Sequence, residues 1–529
     1  MKIKILLIFV AVLLFAMFFF ACTIENNPYV PQHECEFVTW SVTRPATCME
    51  EGEEESKCEA VPNCPEIGKR LITRLNHIWT STWSVTRQPS CEKEGEQRRN
   101  CTRANCSRDT TRAIPQLTGI PCYPITPGTT IMPSGWNMSQ ITTLYNNYRN
   151  TYLRSTPSGN YYILAKGTGS GHTDGNICVT QSEAHGYGMM IFALMGDKTV
   201  FDGMNQLRKA NPSSDWQANH LMSWVVFPRW VDETNSANIP SGCWAGREEC
   251  KTTPRSCGNS FCDGTGVGSG RKSNATDGDL DMAYALLLAH KRWGDPHYLT
   301  EARALIDEIK KLNMGANSRR TNLGDWTRWG DPDAMNTRPS DWMPGHFRAF
   351  ARATNDRFWL EAIDTVYALL EQVSNPNTGL MPDFVTGRPA VADPTCGGAY
   401  AENNCHHYAN NACRVPWRLA TDFAHYGDTR AKTQIDRISA WLRGTANGGA
   451  GGDPNRMSHG YHLNGTPMRD WPSMHFVSPF AAGMIANPAN QQFLNETYNW
   501  MLNNSANDAY QAAIRLLCAL LITGNWQAP

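Results

Sequence analysis

The segment TQSEAHGYGMM, residues 180–190, places a carboxylate and an imidazole two positions apart at the predicted start of an apolar helix. Glu183 has three chemically distinct interpretations there. It can interact favourably with the helix dipole, it can bind a metal together with His185, or it can act as a general acid. A general acid needs a raised pKa, which partial burial beside an aromatic side chain such as Tyr187 supplies.

The metal interpretation is the weakest of the three. A zinc site needs a full set of ligands at a defined spacing, and the chain has no HExxH motif. Cys243, Cys250, Cys257 and Cys262 are not spaced as CxxC pairs, so we expect two disulfides from them rather than a zinc site. The sequence therefore predicts no metal and no cofactor.

A second acidic segment, ATDGDLDMAY, covers residues 275–284 at another predicted helix start. Asp277 is a candidate N-cap, and Asp277, Asp279 and Asp281 have the alternation of a calcium loop. That loop also requires a glycine at its sixth position and a glutamate at its twelfth, and both are missing. A carboxylate at a helix start that points into a cleft can instead hold a sugar hydroxyl.

Helices must position these residues. From about Trp136 onward apolar residues recur at helical spacing, with no convincing strand of alternating pattern. Gly-Asp or Asn-Asp pairs at 196–197, 294–295, 355–356 and 427–428 predict short turns between paired helices. Twelve helices in such pairs indicate an all-α (α/α)6 barrel, with loops 210–275, 376–410 and 447–475 at one end. The predicted segments are 136–153, 182–196, 200–210, 279–293, 297–312, 341–353, 357–373, 412–426, 429–442, 478–486, 491–502 and 508–522.

Composition narrows the class of partner. The net charge of the 529 residues is −1, so nothing suggests a nucleic acid. The chain has 18 Trp and 17 Tyr, whose flat rings with polar edges suit sugar faces, although most of them are expected in the core.

The first 22 residues have the basic start and apolar run of a signal peptide. The ending FFAC resembles a bacterial lipobox, which implies lipidation of Cys22. We therefore expect an exported protein, either an outer-membrane or cell-surface lipoprotein or a secreted one, that contacts the membrane only through this lipid. The alternatives are ordinary cleavage nearby and an uncleaved anchor.

Two repeats follow, at residues 35–75 and 78–117. WSVTRPATCMEEGEEESKC and WSVTRQPSCEKEGEQRRNC begin 43 residues apart, at Trp40 and Trp83. They resemble thrombospondin type-1 repeats, in which tryptophan stacks on arginine between three thin strands. The arginines predicted to stack are Arg44, Arg87, Arg98 and Arg99. The repeats are either a spacer or an attachment module.

Cysteine usage fits export. The chain has 18 cysteines, which in an exported protein predict disulfides, including disulfide-rich repeats. Without Cys22 their number is odd, which implies at least one free thiol, and Cys413 is the candidate.

The region 120–529 resembles glycoside hydrolase family 8. The resemblance rests on SEAHGYGMM, ATDGDLDMAYALLLAHKRWGD, RPSDWMPGHFRAF, GLMPDF and NACRVPWRLATDFAHYGD. It implies an inverting endo-glycanase on an (α/α)6 barrel. It also implies that Glu183 is the proton donor and that Asp277 binds the sugar at the cleavage point. Ala184 and His185 depart from the family motif, so His185 is expected to alter either the subsite or the pKa of Glu183.

The base is the open question. In one branch of the family it is an aspartate three residues before the arginine that corresponds to Arg414, a position occupied here by Asn411. In another branch a loop glutamate serves, and Glu402 is the candidate because inversion needs a second carboxylate. Asp393 and Asp383 are weaker rivals. A disulfide between Cys396 and Cys405 would steady the loop.

We therefore expect a monomeric endo-glycosidase that cleaves β-1,4-linked polysaccharide, with cellulose or mixed-linkage β-glucan favoured. A chitosanase or xylanase of the same family, an inactive carbohydrate-binding surface protein and an adhesin remain as alternatives. The residues predicted to bind substrate are Tyr187, His185, Asn411, Arg414, Trp342 and Tyr461. Further aromatic candidates are Trp224, Trp230, Trp244, Trp326 and Trp471.

Overall fold

The computed structural model divides into two units, Met1–Thr118 and Gly119–Pro529. It describes residues 34–87, 94–115, 126–165, 180–213, 218–226, 273–329, 334–394 and 404–529. Within these ranges, no helix combines the length and the apolar character needed to cross a bilayer.

The first unit contains two antiparallel sheets of three strands, one from each repeat. The strands are β1 Trp40–Arg44, β2 Gly52–Lys57, β3 Ile67–Ile72, β4 Ser84–Arg87, β5 Gly95–Asn100 and β6 Asp109–Ile114. The order is β1-β2-β3 in one sheet and β4-β5-β6 in the other. Gly52 and Gly95 begin the central strands of the two sheets.

Arginine does stack on tryptophan in both repeats, but mostly not the predicted arginines. The guanidinium carbon of Arg70 lies 4.2 Å from the ring centroid of Trp40, and that of Arg112 lies 4.3 Å from the ring centroid of Trp83. Of the predicted set, Arg99 stacks, at 4.6 Å from the Trp83 centroid. The other three instead bind backbone or carboxylate oxygens, namely Arg44 at Glu50, Arg87 at the Glu94 carbonyl and Arg98 at Asp109.

Four of the cysteines that the structure describes in this unit are free thiols, which differs from the disulfides predicted for the repeats. They are Cys48, Cys64, Cys101 and Cys106. Cys91 and Cys122 lie outside the described residues.

In the described part of Gly119–Pro529 there are twelve α-helices, and each of the twelve predicted segments is confirmed as one of them. Their bounds are α1 Met138–Tyr152, α2 Ser182–Met195, α3 Lys198–Ala210, α4 Thr276–Trp293, α5 Pro296–Leu312, α6 Pro344–Thr354, α7 Phe358–Val373, α8 Val415–Tyr426, α9 Thr429–Arg443, α10 Met474–Met484, α11 Gln491–Asn503 and α12 Ala509–Ile522.

The even-numbered helices form a closed ring, in which each contacts the next and α12 returns to α2. The odd-numbered helices pack outside this ring, each against an even-numbered neighbour. Burial explains the division. Every residue of α10 is buried, whereas α9 alternates buried and exposed positions, and a helix that is apolar on all sides must lie inside. The arrangement is consistent with an (α/α)6 barrel.

The predicted helix-to-helix turns are confirmed. Gly196, Gly294, Asn355 and Gly427 adopt left-handed backbone angles just after a helix ends. In each turn the following aspartate accepts a backbone N–H at the start of the next helix. Such turns reverse the chain within two residues, which is why outer and inner helices alternate.

The same unit also contains short strands that the sequence analysis missed. They are β7 Leu153–Ser155, β8 Tyr161–Ile163, β9 Thr180–Gln181, β10 Val225–Val226, β11 Val385–Thr386 and β12 Val391–Ala392. Segments of two or three residues are too short to show an alternating pattern. Strand β9 pairs with β10 and leads directly into α2, so it fixes the entry of that helix.

Helices α2 and α4 cross at two glycines. A Cβ atom on Gly186 would lie 2.8 Å from the Gly278 carbonyl oxygen, and one on Gly278 would lie 2.6 Å from the Ser182 carbonyl carbon. The absence of side chains at this crossing lets the first turns of both helices approach each other. Glu183 and Asp277 are therefore brought together at the same end of the ring.

We expect Gly278→Ala to lower the free energy of unfolding by about 1–3 kcal/mol, because the added methyl group meets backbone atoms that cannot rotate away. Denaturant unfolding measures the change. Gly483→Ala in α10 is the matched control, since its Cβ would lie 3.4 Å or more from its neighbours. Equal destabilisation of the two variants would contradict the close crossing.

Candidate active site

Glu183 lies in the first turn of α2 with its side chain 22% exposed. Its Oε1 accepts a hydrogen bond from the Tyr187 hydroxyl at 3.1 Å and another from Arg414 Nη1. Tyr187 follows one helical turn later and is fully buried. The helix spacing thus places the hydroxyl against the carboxylate, while part of the carboxylate stays open to the surface.

Burial raises the pKa of Glu183 to about 7. The positive charge of Arg414 opposes this shift, and the negative charge of Asp277 adds to it. A carboxyl group with such a pKa is substantially protonated near neutral pH, which a general acid requires.

Asp277 lies in the first turn of α4 and is 3% exposed. Burial alone would raise its pKa, but Arg338 and Arg414 outweigh it and the pKa is lowered. The Arg414 contact measures 3.0 Å and the Arg338 contact 3.6 Å. Asp277 therefore stays ionised under conditions in which Glu183 is protonated.

Arg414 connects the predicted site residues to one another. Its Nη1 donates to Glu183 and Asp277 and lies 3.1 Å from the Tyr187 hydroxyl, while its Nη2 donates to the Asn411 side-chain oxygen at 3.0 Å. The Arg414 side chain is 3% exposed. The structure thus brings all five of these predicted residues into one contact network.

The network restricts the possible mechanism. Inverting hydrolysis needs two carboxyl groups ~6.5–9.5 Å apart with a water molecule between them. Glu183 and Asp277 meet at the same nitrogen of Arg414, so the guanidinium fills the space between them. A base that activates water must therefore come from another residue.

Asp383, one of the rival base candidates, is held by four N–H groups. Its carboxylate accepts from the backbone of Ala409, Asn411 and Ala412 and from the Asn411 side-chain amide, at 2.7–3.2 Å. Because these four donors hold the carboxylate in place, Asp383 organises the 409–412 turn that carries Asn411 towards Arg414.

The other two base candidates are Glu402 and Asp393. Glu402 lies outside the described residues, and Asp393 is 2% exposed, with its backbone N–H donating to the Phe384 carbonyl. Of the predicted disulfide pair, Cys396 also lies outside the described residues, and Cys405 is disulfide-bonded.

His185 lies on a different face of α2. It is fully buried, and its Nε2 lies 2.9 Å from the Met204 carbonyl oxygen of α3, to which it donates. Burial lowers its pKa to about 4, so it is neutral near pH 7. The side chain packs between two helices, which gives it no route to a substrate, and the structure does not support the predicted contact.

We expect His185→Gln to leave the alkaline limb of the pH–rate profile where it is in the wild type, because an uncharged imidazole facing Met204 does not act on the Glu183 carboxyl. The same substitution should lower thermal stability, since a buried hydrogen bond and its packing are disturbed. A shift of the alkaline limb in His185→Gln would show that His185 does influence the pKa of Glu183.

The predicted aromatic residues divide by exposure. Trp342 is 1% exposed and Tyr461 is fully buried, so neither ring has a face open to a sugar. Trp326 and Trp471 are 38% and 51% exposed. Trp471 also lines a surface cavity of about 470 Å³ with Met468. Trp230 and Trp244 lie outside the described residues.

Arg338 and Asp341 belong to the site and were missed. Arg338 faces Asp277, and its Nε donates to Asp341 Oδ2 at 3.3 Å. Burial raises the pKa of Asp341 to about 6, against the opposing charge of Arg338. Both stand in the RPSDWMPGHFRAF motif, where an arginine and an aspartate three positions apart were the available signal.

The two other aspartates of the TDGDLD segment support the scaffold. Asp281 binds Arg418 through both oxygens, at 2.8 and 2.7 Å, and lies 2.8 Å from His346 Nε2. Asp279 accepts from the Met222 backbone and the Asn274 side chain. All three aspartates lie in the α4 helix, so the segment is not a calcium loop.

Comparison with known proteins gives consistent matches over this region. The sequence model of the family described as "Glycosyl hydrolases family 8" matches residues 263–521. An endoglucanase of Bacillus sp. (strain KSM-330) is 35% identical over 402 residues, which cover 73% of this chain and 76% of that protein. A beta-glucanase of Niallia circulans is 32% identical over 405 residues, with coverage of 73% and 85%.

A solved structure agrees with the sequence matches. The apo structure of a beta-1,3-1,4-glucanase from Paenibacillus sp. X4 superposes with a TM-score of 0.62 at 30% identity. The superposition covers 77% of this chain and 97% of that one.

Proposed function

This chain belongs to glycosyl hydrolase family 8, and from that membership we propose that it cleaves β-1,4-linked glucan within the polymer, with inversion at the anomeric carbon. As a member it is a glycoside hydrolase. The observation that carries the proposal is the Glu183 carboxyl, whose pKa of about 7 and partial exposure suit proton donation to a bound substrate.

The proposed reaction divides the work among three carboxyl groups. Glu183 gives its proton to the glycosidic oxygen as the bond from that oxygen to the anomeric carbon breaks. A water molecule attacks the same carbon from the opposite face and loses a proton to the base. Asp277, ionised beside Arg338 and Arg414, accepts hydroxyl hydrogen bonds from the sugar at the cleavage point.

We assign the base to Glu402. Asn411 is an amide and takes no proton from water, and Asp383 is occupied by four N–H donors. Glu402 lies three residues before the disulfide-bonded Cys405 and nine before Asn411, and it is the single carboxylate in the sequence of residues 395–403.

We expect Glu402→Ala to lower kcat by about 10²–10⁴-fold, the range typical of a lost general base. Azide, which attacks without losing a proton, should restore turnover and give a glycosyl azide of inverted configuration. Asp383→Asn is the comparison, since loss of its charge weakens the 409–412 turn and azide has no reason to rescue it. Full activity of Glu402→Ala would remove Glu402 as the base.

The substrate proposal rests on the relatives. Those with more than 30% identity are named endoglucanase and beta-glucanase, and the superposed structure is a beta-1,3-1,4-glucanase. We therefore place cellulose and mixed-linkage β-glucan ahead of xylan and chitosan, and the exposed Trp326 and Trp471 are the described aromatic candidates for sugar platforms.

A product assay tests the function. Purified protein is incubated with carboxymethyl cellulose, lichenan, xylan and chitosan, and proton NMR follows the first product formed. Release of oligosaccharides in the α-anomeric form from a glucan is the expected result. Release of the β-anomer contradicts inversion, activity on xylan or chitosan alone changes the substrate, and no activity on any polymer favours a binding protein.

The N-terminal segment supports a separate proposal on location. A basic start, an apolar run and FFAC at its end support export with lipidation of Cys22. Membrane fractionation tests it: the wild type should sediment with membranes and Cys22→Ala should be displaced from them. Equal distribution of both forms would contradict a lipid anchor at Cys22.

A further inference from the structure

Four potential metal ligands converge in the Met1–Thr118 unit. They are Cys48, His77, Cys101 and Cys106, and their ligand atoms all lie within 4.8 Å of one another. Cys48 Sγ is 4.0 Å from Cys101 Sγ, and His77 Nδ1 is 3.3 Å from Cys106 Sγ. This four-ligand cluster consists of three thiols and one imidazole, whereas the active site is built from carboxyl groups and arginines.

We propose that the four-ligand cluster binds one Zn²⁺ ion as a structural site that joins the two repeats. A tetrahedral zinc site with Zn–S of ~2.3 Å and Zn–N of ~2.0 Å has edges of about 3.5–3.8 Å, close to the two separations above. Three thiolates and one imidazole satisfy the preference of zinc for sulfur and nitrogen. Four protein ligands leave no position open, so the site is structural.

The backbone holds the ligands in place. Trp79 forms an antiparallel bridge with Cys101, and the Thr102 N–H donates to the Ile78 carbonyl at 2.7 Å, so the segment around His77 lies beside Cys101. Cys101 and Cys106 enclose a four-residue turn, a spacing common in zinc sites, in which Asn105 has a φ of 58°. Cys48 comes from the other repeat, between β1 and β2.

Disulfides account less well for this geometry. All three cysteines are free, and the 4.0 Å between two sulfurs is about twice a disulfide bond length of ~2.05 Å. Three thiols cannot all pair with one another. The imidazole, the fourth member, has no place in a disulfide but is a common zinc ligand.

The repeat itself supplies a second argument. Cys35, Cys58 and Cys64 form a three-thiol group in the first repeat, at the positions that correspond to His77, Cys101 and Cys106. The hydrogen bonds also correspond, since the Glu59 N–H donates to the Glu36 carbonyl as Thr102 does to Ile78. Potential metal ligands thus converge at corresponding positions in both repeats, so their convergence belongs to the fold of the repeat. In the second group Cys48 supplies the fourth ligand.

The first unit also needs such a link. Within its described residues the buried side chains are Cys48, Cys58, Cys101 and Ser56, while Val38, Val42 and Leu71 are more than half exposed. Thin sheets that bury so little apolar area depend on a metal or on cross-links for stability. The site departs from the sequence prediction of disulfide-rich repeats without metal, and it is independent of the glycosidase activity of the second unit.

Metal analysis of the full chain, purified without reductant, tests the proposal. Plasma mass spectrometry should find zinc, with one equivalent less in Cys101→Ser and in His77→Ala than in the wild type. Cys518→Ala, which removes a buried free thiol of α12, is the control and should keep the wild-type ratio. Replacement of zinc by Co²⁺ should give the absorption bands of a tetrahedral thiolate site, and these should be lost in Cys48→Ser.

Alkylation of the wild-type chain keeps the test decisive if the variants do not fold. A chelator should expose Cys48, Cys101 and Cys106 to alkylation, and zinc should protect them. An unchanged zinc ratio in Cys101→Ser and His77→Ala, or a disulfide at any of these three cysteines in the peptide map, would overturn the proposal. Neither result would affect the product assay on glucans.

Discussion

Glu183→Gln should lower kcat by about 10²–10⁴-fold, because the amide cannot transfer a proton to the leaving oxygen. Glutamine keeps nearly the same shape beside Tyr187 and Arg414, so the fold and substrate binding should survive. The wild-type profile of kcat/KM should fall as pH rises through about 7, where Glu183 loses its proton. This alkaline limb should be absent from the residual activity of the variant.

The leaving group distinguishes an acid from a positioning residue. The phenolate of an aryl β-glycoside with an acidic phenol leaves without protonation. Glu183→Gln should therefore retain far more activity on such a glycoside than on a glucan. Glu361→Gln, at a surface ion pair with Arg319, is the control and should behave as the wild type on both substrates. An equal loss on both substrates would mean that Glu183 does not act as the acid.

Arg414→Met should have a large effect on both stability and activity. Removing the cation leaves the buried Asp277 carboxylate without its Arg414 partner and beside the Glu183 carboxyl, and loss of one partner from a buried ion pair typically costs about 3–5 kcal/mol. Without Arg414 the Glu183 and Asp277 side chains should also move from their positions, which should lower kcat by about 10²-fold. Since Arg414 lowers the pKa of Glu183, its removal raises that pKa, and the alkaline limb should move to higher pH.

Arg418→Met is the matched control for this prediction. Arg418 is also a buried arginine of the α8 region and binds Asp281 through two hydrogen bonds, so its loss should cost similar stability. Among the described residues, the charges that shift the pKa of Glu183 belong to Arg414, Asp277 and Arg338, so the alkaline limb should stay in place in Arg418→Met. Arg414→Lys adds a second test, because it keeps the charge but loses the fork that reaches Glu183 and Asn411 together. Identical limbs in wild type and Arg414→Met would contradict the electrostatic role.

The helical part of the fold was predictable because its signals are local. Long apolar patterns repeat at helical spacing, and Gly-Asp turns punctuate them, so all twelve helices follow from residues close together in the chain. The missed strands β7 to β12 have two or three residues each and depend on pairing partners that only the folded chain supplies.

In the repeats, local sequence signals were not sufficient. The period and the strands were evident from the sequence, but the arginine that stacks on each tryptophan was not. Arg70 and Arg112 reach the tryptophans from the third strand, across the sheet, whereas Arg44 and Arg98 are closer in sequence and bind carboxylates. Likewise the grouping of Cys48 with His77, Cys101 and Cys106 spans two repeats and is visible only in three dimensions.

The sequence by itself determined the helices, their turns and the identity of the two acidic helix starts, because each is encoded by neighbouring residues. Only the tertiary structure decided what those acids do. The glycine crossing of α2 and α4 brings Glu183 to Asp277, and Arg414 from beyond residue 400 binds both. Burial then raises the pKa of one carboxyl while two arginines lower that of the other, an effect that depends on neighbours distant in sequence.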